Sequence, residues 1–182
     1  MKNTFLIAGA AIAALALASN ASAETYVGVG VSQELTDVEG FSLDDGTGLD
    51  VTLGVDAANL PVRLEGRVAR INNDTNVLGF PIGVDALQYS GDAYLDLDLG
   101  WNVTPYVGGG VTYTDGEVDA LFTQVDASGW GWNVAGGVRA PLTESLTVDA
   151  GVRYGQSTLD VDFLGDVDVE QTQLRVGLNY AL

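Results

Sequence analysis

Between Tyr89 and Trp101 the chain reads YSGDAYLDLDLGW, and its odd and even positions are built from different materials. The odd positions are Tyr89, Gly91, Ala93, Leu95, Leu97, Leu99 and Trp101, while the even ones include Asp92, Asp96 and Asp98. Side chains alternate across an extended strand, so one face is apolar with an aromatic residue at each end and the other carries three carboxylates. Two folds accept such a strand. A soluble β-sandwich buries the apolar face; a membrane-spanning barrel turns that face to lipid and encloses the polar one.

The same alternation recurs along the chain. Val27, Val29 and Val31 oppose Tyr26, Gly28 and Gly30, and Leu49, Val51, Leu53 and Val55 oppose Asp50, Thr52 and Gly54. Val62, Leu64, Gly66 and Val68 oppose Arg63, Glu65 and Arg67. After the Tyr89–Trp101 run come Val107, Gly109, Val111 and Tyr113, then Trp130, Trp132, Val134, Gly136 and Val138 opposite Asn133 and Arg139. Leu146 to Tyr154 oppose Asp149, Gly151 and Arg153, and Leu174 to Leu182 oppose Gln173, Arg175, Gly177 and Asn179. With no helical period after residue 23, the pattern predicts an all-β chain of about eight strands.

Connection lengths choose between the two folds. Short turns such as Asp56–Pro61, Asn102–Thr104 and Pro141–Ser145 alternate with longer loops. Outer-membrane barrels have that asymmetry, with short turns in the periplasm and long loops outside. Strand direction then places Tyr89, Tyr113, Trp130 and Tyr154 at the outer rim of the apolar face, and Trp101 and Tyr180 at the inner rim. A sandwich has no reason to generate two aromatic girdles. The expected fold is an eight-stranded, antiparallel, up-and-down transmembrane β-barrel.

The first residues supply the route. Lys2, the apolar run Phe5–Ala18 and the small residues Ala21-Ser22-Ala23 form a secretory signal peptide, residues 1–23, leaving 24–182 as one barrel domain. The expected destination is the outer membrane of a Gram-negative cell. Removal of Lys2 leaves six arginines and no lysine against 25 acidic residues. Such a surface argues against nucleic acid as a partner. The expected partners are outer-membrane lipid and lipopolysaccharide, with each chain acting as a monomer.

Parity sends five of those six arginines inward. The lumen row holds Arg63, Arg67, Arg139, Arg153 and Arg175 against Asp50, Glu65, Asp92, Asp96, Asp98 and Asp149. Guanidinium forks match carboxylates, and a buried charge left alone is costly. These residues are expected to form an ion-pair network that keeps the barrel closed, with Arg63 and Arg67 reaching the Asp92, Asp96 and Asp98 row. A narrow ion channel would require the pairs to open. The chain has no histidine and no cysteine, which removes histidine general-base chemistry, thiol nucleophiles and the usual zinc sites. Neither catalysis nor a cofactor is expected.

Above the girdles the parity inverts. Outward positions turn acidic at Asp115, Glu117, Asp160, Asp162, Asp168 and Glu170, while inward positions turn apolar at Ile82, Val118, Phe122, Leu159, Val161 and Phe163. The hairpins should therefore continue as strands beyond the bilayer and enclose an apolar crown. That crown either caps the barrel with its own side chains or receives a small hydrophobic ligand; alternatively its phenylalanines engage a surface partner. The acidic rim is a solvated surface or a weak divalent-cation site, without the glycine-containing EF-hand pattern.

Several segments resemble one family. TPYVGGGVTY (Thr104–Tyr113) and WGWNVAGGVRAPLTESLTVDAGVRYG (Trp130–Gly155) look like strands of the small outer-membrane barrels related to the OmpA transmembrane domain and the opacity proteins. The resemblance implies the barrel fold and a structural or cell-surface role. It also implies a C-terminal signal read by the outer-membrane assembly machinery, carried here by Arg175, Gly177, Tyr180 and Leu182, with Leu182 aliphatic where an aromatic is usual.

Overall fold

The computed structural model describes residues 24–38, 41–42, 46–57, 60–77, 80–120, 123–161 and 165–182. Within these, side chains are described except at the strand tips 38, 41–42, 73–77, 80–84, 117–120, 123–125 and 161. Residues 1–23, which the sequence leads one to expect as a signal peptide, lie outside the described part.

Strands account for nearly all of it: β1 (Glu24–Val38), β2 (Phe41–Ser42), β3 (Gly46–Asp56), β4 (Val62–Val77), β5 (Phe80–Asp96), β6 (Thr104–Ala120), β7 (Thr123–Pro141), β8 (Leu146–Val161) and β9 (Gly165–Ala181). β2 is a two-residue tab folded back on the tip of β1, pairing Asp37 with Ser42. The other eight each run antiparallel to the next, and β1 pairs β9 from Tyr26↔Ala181 to Val38↔Val169. The sheet therefore closes without an edge, which removes the unpaired backbone groups that lipid cannot satisfy. The barrel is eight-stranded and up-and-down.

Burial runs opposite to that of a soluble protein. Arg63 is 1 % exposed, whereas Val51 is 61 % exposed. Buried polar side chains come from all eight staves, and the exposed aliphatics occupy the alternate positions. Water is a poor solvent for such a wall, and a bilayer a good one.

Strand ends differ from the sequence pattern. The run centred on Tyr89–Trp101 stops as a strand at Asp96 and extends instead back to Phe80. Local hydrogen bonding ends it: the Leu97 amide donates to the Pro105 carbonyl (2.8 Å), and Asp98 accepts the Gly100 amide (3.0 Å) where Gly100 turns into the left-handed region, φ 69°. A short aspartate and a glycine make a turn where alternation alone continues the strand. At the opposite end β6 and β7 pair as far as Ala120↔Thr123, and β4 and β5 as far as Val77↔Phe80. A tilted transmembrane strand needs about 9–11 residues, so the 17 residues of β5 and of β6 exceed a bilayer crossing.

Candidate functional site in the barrel lumen

Eight strands leave an interior just wide enough for side chains to meet across it. Glycines on the inward row supply the extra room. A Cβ at Gly30 would lie 2.6 Å from an Arg175 Nη, and Cβ atoms at Gly137 and Gly151 would each lie 2.5 Å from the Tyr106 hydroxyl. Arg175 and Tyr106 thus have glycines facing them, on the adjacent strand (Gly30, Gly137) or the one beyond it (Gly151).

At the short-turn end the centre is Arg63. Its Nε donates to Asp96 (3.3 Å), its Nη1 to Glu65 and to the Tyr26 hydroxyl (3.2 Å), and its guanidinium lies 4.4 Å from the ring centroid of Tyr94 and 4.8 Å from that of Tyr106. Those two rings meet edge to face, 5.3 Å apart. Arg139 donates to Asp96 (3.3 Å) and Asp56 (3.4 Å) and sits over the ring of Tyr26. The Tyr26 hydroxyl donates to Glu65. A guanidinium that is both forked and stacked holds its charge in a dry site.

One level up, two arginines reach across the lumen. Arg153 grips Asp92 with both Nη atoms (3.0 and 2.9 Å) and also donates to Tyr94 (2.7 Å), while Asn133 and Ser90 add donors to the same carboxylate at 2.9 Å. Arg175 bridges Asp50 (2.9 and 2.7 Å) and Asp149 (2.9 Å), and Tyr106 donates to Asp149 (3.3 Å).

Toward the long hairpins the chemistry changes. Arg67 Nη1 donates to Gln173 Oε1 (2.6 Å), and Gln173 Nε2 donates to Glu34 Oε1 (2.5 Å). Glu34, wholly buried, also accepts from Ser32 (2.6 Å) and Gln171 (3.0 Å), and Gln171 accepts from Gln88 (3.0 Å). A glutamine amide, donor at one end and acceptor at the other, here joins a cation to an anion without their touching.

The expected residues therefore distribute unevenly. Arg63, Glu65 and Asp96 come together, as do Asp92 with Arg153 and Asp149 with Arg175; Arg139 joins the Asp96 group. Arg67 does not reach the acidic row, because Arg153 from the far wall already occupies Asp92. Asp98 is outside the lumen altogether, exposed in the β5–β6 turn. Sequence reading put Gln173 on the inward row but not in the network, and it missed Glu34, Asp56 and Gln171. The available signal was parity: β1 carried past Ser32 to Glu34, β3 past Gly54 to Asp56, and β9 back from Gln173 to Gln171.

Of the crown residues, Leu159 is half-buried. Phe122 and Phe163 lie outside the described residues, and so do the side chains of Ile82, Val118 and Val161. Their neighbours Ile71, Ala86 and Ala127 are buried and inward, above the amide layer. In the C-terminal segment Arg175 belongs to the lumen, a Cβ at Gly177 would meet its guanidinium at 2.8 Å, and Tyr180 and Leu182 are exposed. Among the described residues no acidic group is arranged to hold a metal ion.

A closed antiparallel barrel with an aliphatic exterior and a charged, filled interior defines a transmembrane β-barrel of the outer-membrane class. Residues 4–181 match the outer membrane protein beta-barrel domain, and the chain belongs to that family. Similar solved structures include Neisserial surface protein A, at 19% identity over 87% of this chain and 97% of that one, TM-score 0.71. The attachment invasion locus protein Ail of Yersinia pestis, solved in complex with the heparin analogue sucrose octasulfate, shares 19% identity over 87% and 99%, TM-score 0.57. OprG of Pseudomonas aeruginosa shares 16% over 89% and 96%, TM-score 0.56. At these identities the likeness is one of fold. No curated protein sequence matches the chain.

Proposed function

We propose that the protein is a closed envelope element: an integral barrel with a structural or cell-surface interaction role, neither a pore nor an enzyme. The supporting observation is the lumen. Its carboxylates Asp50, Asp92, Asp96 and Asp149 each hold an arginine, and the cavity lined by Arg63, Arg67, Arg153, Arg175, Glu65 and Asp149 measures about 20 Å³, room for about one water. Acids committed to guanidinium forks are poor general acids or bases, and the chain offers no histidine to replace them.

In this reading residues 1–23 direct export, and the Arg175, Gly177, Tyr180 and Leu182 segment is read by the assembly machinery before the strands pair. Each chain closes its own barrel, with the short turns in the periplasm and the long hairpins outside among lipopolysaccharide. The exposed outward acids Asp115, Asp126, Asp160, Asp166, Asp168 and Glu170 then face the medium. Ail was solved with a polyanion; the acidic rim here favours a neutral or cationic surface partner instead.

Planar-bilayer recording of the refolded barrel tests the closed lumen. No resolvable unitary conductance is expected from the wild type, and discrete openings are expected once Arg153→Ala releases Asp92. A stable open level in the wild type would move the function to ion conduction.

A further inference from the structure

Of the inward arginines, Arg63 and Arg139 hold Asp96, Arg153 holds Asp92, and Arg175 holds Asp50 and Asp149. Arg67 differs. Among the described residues no carboxylate lies within ion-pair distance of it, and its Nη1 donates instead to the neutral Gln173 at 2.6 Å. Its Nη2, in a residue only 4 % exposed, has no hydrogen-bond partner among them. A buried guanidinium without a contacting anion is costly.

Arg67 lines the lumen cavity of about 20 Å³ together with Arg63, Arg153 and Arg175. Two carboxylates, Glu65 and Asp149, face the same space. Each is already engaged: Glu65 accepts from Arg63 and the Tyr26 hydroxyl, and Asp149 from Arg175 and the Tyr106 hydroxyl. Four guanidinium groups against two committed carboxylates leave the lining positive. Tyr94 lines the cavity too; its hydroxyl accepts from Arg153 (2.7 Å), and among the described residues no acceptor takes its proton. Arg67 Nη2 and the Tyr94 hydroxyl are thus both donors awaiting an acceptor.

We propose that this cavity binds one halide ion, such as chloride, which accepts from Arg67 Nη2 and from Tyr94. A water satisfies donors as well, but only an acceptor that carries charge also offsets the buried cation. The volume sets the size. It admits about one water; a chloride ion is only slightly larger, whereas a polyatomic anion such as gluconate does not fit. The lumen as a whole holds more acids than arginines, but the surplus lies away from this level. Asp56 and Asp96 are at the short-turn mouth, their side chains 33 and 20 % exposed, and Glu34 stands on the far side of Gln173.

The test is urea unfolding of the refolded barrel in sodium gluconate and sodium chloride mixed at constant ionic strength. Replacing gluconate by chloride should stabilise the wild type and Arg70→Ala, whose change lies outside the lumen, relative to Arg67→Met. The gain should saturate, and where chloride exceeds its Kd about ten-fold the folding equilibrium should have shifted about ten-fold. An identical salt response in all three proteins would be a general ionic effect and would overturn the proposal. Crystals of the wild-type barrel grown in bromide give an independent reading that needs no variant to fold. One anomalous peak within hydrogen-bond reach of Arg67 Nη2 is expected; an ordered water there without bromide signal would also overturn it.

Discussion

Arg153 and Arg67 are both buried in the same lumen but meet their carboxylates in opposite ways, and only Arg67 keeps a buried Nη2 without a hydrogen-bond partner among the described residues. Arg153 forks onto Asp92 directly, whereas Arg67 reaches Glu34 only through Gln173. A direct pair concentrates its energy in one contact, and removing either partner strands a buried charge. A bridged pair rests on two hydrogen bonds to charged groups, one from Arg67 and one to Glu34, and its weak point is the neutral residue between them. The difference shows that an acid-to-arginine count misjudges such a lumen: the decisive residue beside Arg67 carries no charge.

The largest effect should come from the direct pair. Asp92→Ala leaves Arg153 with Tyr94 alone and is expected to cost about 3–5 kcal/mol, read as a lowered urea midpoint in reconstituted liposomes. A loss below about 1 kcal/mol would mean that water already shares that guanidinium.

Next comes the bridge. Gln173→Leu keeps the volume but removes the acceptor for Arg67 and a donor to Glu34, with an expected cost of about 2–3 kcal/mol. An unchanged midpoint would show that Arg67 and Glu34 are satisfied without the amide.

The smallest effect belongs to the pair outside the lumen. Arg70 and Asp85 are exposed, and the hydrogen bonds from Arg70 hold the Asp85 carboxyl below the usual carboxylate range. Solvent screens such a pair, so Arg70→Ala should leave the midpoint at pH 7 unchanged. Whatever the pair adds is present above the unfolded carboxylate value and is lost as pH falls through the lowered folded one. A clear midpoint drop at pH 7 would show that surface and lumen pairs are less different than their burial suggests.

Period-two alternation made the fold legible, because a strand that is apolar on one face and charged on the other leaves few architectures open. It also gave the inward direction of Arg63, Arg153 and Arg175. It did not give partners. Register reveals neighbours, but in a narrow barrel Arg153 of β8 crosses to Asp92 of β5, a relation that only closure creates. Strand ends escaped for a local reason: Asp98 and Gly100 make a turn inside an unbroken alternation, and Glu34 continues β1 three residues past the last glycine–valine repeat, Gly30-Val31.

The bridge itself can be measured by a double-mutant cycle between Arg67→Met and Glu34→Gln, run in the wild type and in the Gln173→Leu background. The coupling energy between Arg67 and Glu34 should be about 1 kcal/mol or more with Gln173 present and vanish without it. Equal coupling in both backgrounds would contradict the bridged arrangement.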